Sequence, residues 1–316
     1  MKNVWRGVGI VLLVALAGCV GTQTAAVQVG GQPWDEQTVF DSDGAAVEAL
    51  LAAAKAQDHG QVDKILGPVS KQLLSGDKVE DARGFEALGR IATEQNRLEK
   101  KDDSTSILHI GVKDWPFPIP VVKNAAGKWY FDTAAGKQEI LTRRIGHDEL
   151  AVINECKVYL QAQREYASVE RDGSGVLKYA QHFLSTPGAQ DGLYWETKPG
   201  EQQSPFGPMM AQASQEGYTF KKGSGRQPFH GYYYHILKKQ GAAAPGGKYD
   251  YVINGNMIAG FALVAWPAQY GNSGVMTFIV NHQGKIYQKD LGQETSDAAK
   301  KITEYNPDAS WTLVKE

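Results

Sequence analysis

The chain has 316 residues, enough for two domains of ordinary size, and 42% of them are apolar. Its mean hydropathy of −0.37 describes a globular protein with a packable core. Lys and Arg are spread along the chain and the formal net charge is −2, which argues against nucleic acid as a partner, because phosphate binding needs a concentrated basic surface.

Lys2 and Arg6 lead into a short apolar run, Val8 to Ala17. A membrane-spanning helix needs roughly 20 apolar residues, so this basic start with a short run and small residues at its end predicts a secretory signal. Leu16-Ala17-Gly18-Cys19 resembles the bacterial lipobox, in which the thiol is alkylated with diacylglycerol and becomes the new N-terminus. The resemblance implies that residues 1–18 are a cleaved signal peptide and that Cys19 is the lipid attachment site. At about 0.8 kcal/mol per buried methylene, two or three acyl chains hold a protein to a membrane where one does not. Val20 follows the cysteine where an inner-membrane retention signal shows Asp. By resemblance to sorted lipoproteins, the expected place is the cell envelope, at the outer membrane facing the periplasm. Residues 19–43 show no sustained period and read as a tether; a flexible coil of about 20 residues spans on the order of 25 Å. The other cysteine, Cys156, then has no partner, and its stripe with Ile153 and Leu160 predicts a small buried hydrophobe.

A first α+β domain is expected over residues 44–146. Val47, Leu50, Leu51 and Ala54 share one face of a helix from Ala45 to Gln57. Val62, Ile65 and Leu66 form a second helix stopped by Gly67-Pro68, and Phe85, Leu88 and Ile91 point inward from a third, Val79 to Arg97. Strand-like patterns follow at Ile107 to Val112, Ile119 to Lys123 and Lys128 to Thr133, then a helix from Ala134 to Ile145. This order, with the Trp129-Tyr130-Phe131-Asp132 strand, resembles the cone-shaped fold of the nuclear transport factor two-like proteins.

A second helix-plus-antiparallel-sheet domain is expected over residues 147–316. Leu150, Ile153, Cys156, Leu160 and Tyr166 recur at helical spacing, and loops rich in Gly, Ser and Pro lead to strands at Tyr232 to Leu237, Gly260 to Pro267, Val275 to Asn281 and Lys285 to Lys289. The helix Asn154-Glu155 to Tyr166 and the strands Phe278 to Asn281 and Gly284 to Tyr287 resemble the globular domain of type IV pilins and pseudopilins. The pilin's apolar N-terminal helix does not precede them. Longer stretches, among them Trp115 to Pro120, Arg143 to Gly146, Asp191 to Trp195, Ser204 to Pro208 and Gly260 to Pro267, resemble domain-of-unknown-function family 2950, bacterial secreted and lipid-anchored proteins with no established reaction to transfer.

Catalytic spacings are near misses. Ser273 in Gly271-Asn272-Ser273-Gly274 lacks the second glycine position of a nucleophile elbow, and Gly241 to Lys248 fails the phosphate-loop pattern at Gly247 and Tyr249. No His-Glu-x-x-His set occurs, and His230 and His235 are separated by an odd number, which points them to opposite faces of a strand. No cofactor or metal is expected. The weak exception is calcium: Glu170, Asp172, Ser174 and Gly175 match positions one, three, five and six of a calcium loop, although Gln181 stands at the twelfth. Arg143 and Arg144, read at a helix end, with Tyr194, Trp195 and Phe206 on Gly- and Pro-rich loops, form the candidate binding surface.

The reading that follows is a lipid-anchored, non-catalytic binding or scaffold module that contacts the membrane through its anchor and takes an envelope protein or glycan as partner. Two readings stay open beside it: an envelope hydrolase acting on glycan or peptidoglycan through carboxylates such as Glu149 or Glu196, and an accessory of a secretion apparatus.

Overall fold

The computed structural model describes residues 32–198, 200–220 and 227–315. The signal segment, Cys19 and the tether as far as residue 31 lie outside them. The fold is α+β, and it divides into two compact units. Of the described residues, one holds those up to Leu74 and Asp81–His147; the other holds Ser75–Glu80 and those from Asp148 onward. Among the described residues no helix is long and apolar enough to cross a membrane.

In the first unit, the Ser42 hydroxyl accepts from the Ala45 amide at 3.1 Å and starts α1 (Asp43–Lys55), which buries Ala46, Val47, Leu50, Ala53 and Ala54. Asp58 starts α2 (His59–Leu66) in the same way, and a 3₁₀ turn, Pro68–Leu73, follows Gly67. α3 (Lys78–Glu94) leads into an antiparallel sheet of β1 (Asn96–Lys100), β2 (Thr105–Ile110), β3 (Trp115–Pro116), β4 (Val121–Lys123) and β5 (Trp129–Phe131). The strand order is β1-β2-β4-β5, with β3 beside β2. Ile91, Leu108, Ile110, Phe117, Ile119, Val121, Trp129 and Phe131 close the core against α1 and α2. A polar tie crosses this core, where the buried Gln37 amide donates to the carbonyls of Ile65 at 3.0 Å and Phe131 at 2.8 Å.

The third helix therefore ends three residues before the expected Arg97, because Asn96 and Arg97 pair with Ile110 and His109. Charged residues at a sheet edge guard it against further pairing, and Arg97 accordingly donates to Asp114 through Nε at 2.6 Å.

The helix expected to end at Ile145 runs on without a break. One helix, α4 (Thr133–Ala167), covers both segments, giving residues 133–147 to the first unit and 148–167 to the second. A mid-helix glycine costs about 1 kcal/mol relative to Ala and need not end a helix. The second unit also takes up Ser75–Glu80, which the sequence reading had placed with the first.

In the second unit α4 buries Val152, Cys156, Tyr159, Leu160, Ala162 and Tyr166, while Leu150, expected on that stripe, is exposed. α5 (Gly207–Gln215) precedes β6 (Tyr232–Leu237). Two short ribbons come next, β7 (Lys239–Gln240) with β8 (Tyr249–Asp250), and β9 (Val252–Ile253) with β10 (Asn256–Met257). The main sheet runs β14-β13-β12-β11-β6, built from β11 (Ala262–Pro267), β12 (Met276–Asn281), β13 (Ile286–Asp290) and β14 (Thr312–Leu313), with α6 (Thr295–Lys300) packed on β11. All six residues of β11 are buried, which is why that stretch reads as an unbroken apolar run.

Backbones approach closely at Gly136 in the first turn of α4. A Cβ there would lie 2.8 Å from both the Ile119 Cα and the Pro118 carbonyl oxygen. Gly136→Ala is expected to lower the unfolding free energy of the first unit by about 1–3 kcal/mol, although Ala is the better helix former. Urea titration decides this; an unchanged or raised midpoint would contradict the packing.

Candidate functional site

The residues singled out from sequence fall into two sets. In the first unit, Arg143 and Arg144 lie within α4, away from a helix end. Arg143 donates from Nε to Glu139 at 2.6 Å and lies 4.7 Å from the Trp115 ring centroid; Arg144 donates to the Leu73 carbonyl. In the second unit, Tyr194 and Trp195 are half-buried against the core. The Arg171 guanidinium lies 5.0 Å from the Trp195 ring and 5.1 Å from Tyr166. Phe206 is not on a surface. It is only 4% exposed and stacks on Phe183 at 6.2 Å, because the Leu193 carbonyl holds the Phe206 amide at 2.9 Å and draws the ring inward.

The oxygens of the calcium-like loop turn onto the loop itself. Glu170 accepts from the amides of Asp172 at 2.9 Å and Ser174 at 3.0 Å, and Asp172 pairs with the Lys178 ammonium. That lysine, then the Ser174 hydroxyl, holds the Asp172 carboxyl well below the usual carboxylate range. Gln181 donates to the Gly255 carbonyl at 2.8 Å. The lysine thus supplies the positive charge that Asp172 faces.

Candidate catalytic groups are tied up similarly. Glu149 accepts the amides of Val275 at 3.0 Å and Met276 at 2.9 Å, at the start of β12. The Ser273 hydroxyl is buried, accepts from the Gln269 amide at 3.0 Å and donates to the Gln269 carbonyl at 3.3 Å. Glu196 is exposed.

One polar constellation of the second unit was not anticipated from sequence. Phe229 and Tyr232 exchange backbone hydrogen bonds of 2.8 and 3.1 Å across His230 and Gly231, whose φ angles are 47° and 71°. Two consecutive left-handed residues are the mark of a type I′ turn, which leads into β6. Holding a histidine there costs about 1–2 kcal/mol, and the side chain is what the turn presents. Nδ1 of His230 lies 2.5 Å from Glu155 Oε1 of α4, and Nε2 lies 2.9 Å from Glu216 Oε2 just past α5. The three side chains are 15%, 10% and 14% exposed. Tyr234 donates to the other Glu155 oxygen. Tyr218 donates to Asp77 at 2.8 Å and accepts the His230 amide at 3.3 Å, while Phe229 stacks on the imidazole at 4.0 Å.

Burial alone would lower the His230 pKa. The hydrogen bond and charge of Glu155, the bond to Glu216 and the charge of Glu80 outweigh it, raising the group from 6.5 to about 9. The imidazolium gives one N–H to each carboxylate, so both ring nitrogens are engaged and the arrangement is a charge-assisted clamp. Only one cue was available in sequence, the His-Gly pair ahead of a strand, because Glu155 and Glu216 are 75 and 14 residues distant.

A raised histidine pKa means that the folded state binds the proton more tightly than the unfolded one. The clamp's contribution is complete below pH 6.5, shrinks as pH rises, and is gone above about pH 9. Across that interval the second unit is expected to lose roughly 3 kcal/mol, at about 1.4 kcal/mol per pK unit. Urea unfolding followed from pH 6 to 10 checks this, with His230→Asn, which tolerates the left-handed turn, showing a flatter profile. A wild-type profile as flat as the variant's would contradict the assignment.

The chain has no significant match among curated proteins or among solved structures. Residues 37–314, nearly everything the structure describes, match the model of a family described as protein of unknown function. The chain belongs to the protein family of unknown function DUF2950.

Proposed function

We propose that this DUF2950 member is a lipid-anchored protein of the cell envelope that works as a non-catalytic binding or scaffold module. The observation that carries the location is Leu16-Ala17-Gly18-Cys19 behind its short apolar run. In a two-membrane cell, Val20 favours the periplasmic face of the outer membrane. The non-catalytic half rests on how the second unit uses its reactive groups. Glu149 holds the start of a strand, Ser273 holds a turn, and both nitrogens of His230 are bonded to carboxylates. Each group is spent on the fold, whereas a nucleophile or general base needs an available lone pair.

For recognition, Trp195 with Arg171 is the best-supported element on the second unit, since a ring stiffened by a stacked guanidinium presents area at low entropic cost. An envelope glycan or an envelope protein suits such a surface. Phe206, being core, drops out of it.

The anchor is tested by Cys19→Ser in the native host. The variant is expected to leave the membrane fraction or to accumulate with its signal segment uncleaved, and metabolic labelling with a palmitate analogue should mark wild type alone. A membrane-bound, normally cleaved variant would overturn the proposal.

A further inference from the structure

On the reading of Trp195 and Arg171 as a recognition surface, we infer that its ligand is an acidic glycan: the edge of the Arg171 guanidinium receives a sugar carboxylate while the Trp195 ring carries the apolar face of the sugar. The guanidinium is built into the unit. Arg171 lies just past α4, and its Nε donates at 3.3 Å to the Tyr166 carbonyl, one of the last carbonyls of that helix. Its Cζ lies 5.1 Å from the centroid of the buried Tyr166 ring and 5.0 Å from that of Trp195. Two rings and a carbonyl hold the group, so its Nη pair becomes a planar two-donor fork of set direction. Among the described residues, none hydrogen-bonds or ion-pairs with that fork. The half-buried Trp195 is equally set, because its chain neighbours are pinned. The Tyr194 amide donates to the Phe183 carbonyl and the Tyr194 carbonyl accepts the Ser185 amide, both at 2.8 Å, and a Cβ on Gly192 would lie 2.7 Å from the Leu184 carbonyl carbon. A ring and a fork fixed in advance lose little entropy when a ligand arrives.

The chemistry of the ligand follows from the fork and its surroundings. Two parallel N–H groups match the two oxygens of a carboxylate, whereas an ammonium offers a point charge without direction. The neighbourhood is not a positive field. Burial pushes the Tyr166 phenol above its ordinary range; the Arg171 charge pulls it back, and Asp191 and Asp172 add to the push. Both carboxylates thus act on the place where the fork lies, although Lys178 pairs with Asp172 and Asp191 accepts the Thr186 amide at 2.6 Å and its hydroxyl at 2.7 Å. They repel a doubly charged phosphate more than a singly charged carboxylate, so the carboxylate is favoured. Between carboxylate sources, a sugar acid keeps its charge and an apolar ring face in fixed relation, which suits a fixed ring beside a fixed fork. The side chains of an acidic peptide must each surrender rotamer freedom to do the same.

The test is NMR titration of the full chain at about 0.15 M salt, where exposed charges are screened beyond about 8 Å, reading the Trp195 indole N–H and the Arg171 Nε–H. The probes are hexagalacturonate, its carboxyl-reduced neutral counterpart and hexaglutamate. Hexagalacturonate is expected to shift both signals saturably, and the neutral hexamer to bind at least about tenfold more weakly, as loss of a charge-assisted bidentate contact requires. Arg171→Lys keeps the charge and loses the fork, so it should weaken hexagalacturonate binding by about the same factor, with urea unfolding reporting that the second unit is still folded. The charged-against-neutral comparison is made on wild type and holds whether or not the variant folds. Equal binding of the two hexamers, hexaglutamate binding as tightly as hexagalacturonate, or unchanged affinity in a folded Arg171→Lys would overturn the acidic-glycan inference and leave the recognition surface standing. Trp195 and Arg171 signals unmoved by every probe would overturn the inference together with the reading of this surface as a glycan site.

Discussion

The second unit depends on a helix that turns hydrogen-bonding groups, as well as apolar ones, toward its sheet. Along α4, Glu155, Tyr159 and Gln163 recur every four residues, and each bonds a buried polar group of the sheet or of the loops around it. Glu155 binds His230 and Tyr234; Tyr159 donates to the Ala262 carbonyl at 3.1 Å; Gln163 donates to the Ala180 carbonyl at 2.9 Å and accepts the Ala180 amide at 2.8 Å. An unpaired buried polar group costs about 1–3 kcal/mol, so only one registration of helix against loops and strands leaves the set satisfied. Apolar packing around Trp266, Phe261 and Phe278 supplies the bulk of the driving force. The polar row supplies uniqueness.

This division of labour explains what was legible in the amino-acid sequence and what was not. The unbroken apolar run of β11 and the alanine-rich face of α1 follow directly from hydrophobic periodicity. β1 does not, because in Asn-Arg-Leu-Glu-Lys the apolar signal of a strand is reduced to Leu98. α4 reads as two helices since Gly146 and a change of stripe imitate a boundary; Cys156, Leu160 and Tyr166 of the expected inward face are buried, whereas the buried Glu155 and Gln163 look solvent-directed in sequence. Burial of Leu150 was inferred from helical spacing; the structure exposes it and buries Gln163 as well as the apolar stripe.

Of the candidate site, the composition of the Asp191 to Pro208 region correctly flagged large rings on irregular backbone, yet residue type does not say which ring turns inward. Phe206 does, stacking on Phe183, while Trp195 keeps a face for Arg171. The histidine clamp escaped for a different reason. Its partners are distant in sequence, and a left-handed His-Gly turn carries no hydrophobic period. A functional account of this chain thus leans on two different kinds of information: the proposed location rests on the N-terminal tetrad, and the disposition of polar groups in the second unit shows that a Ser, His or Glu can be taken up by the fold.

The most direct test of the polar-row account is the equilibrium stability of Gln163→Leu. Leucine is apolar and close to glutamine in size, so if apolar packing alone organised the unit the variant would be as stable as wild type or more so. The account predicts a loss of about 2–4 kcal/mol by urea unfolding, because the amide and carbonyl of Ala180 lose their partner in a fully buried place. An unchanged or increased unfolding free energy would contradict it.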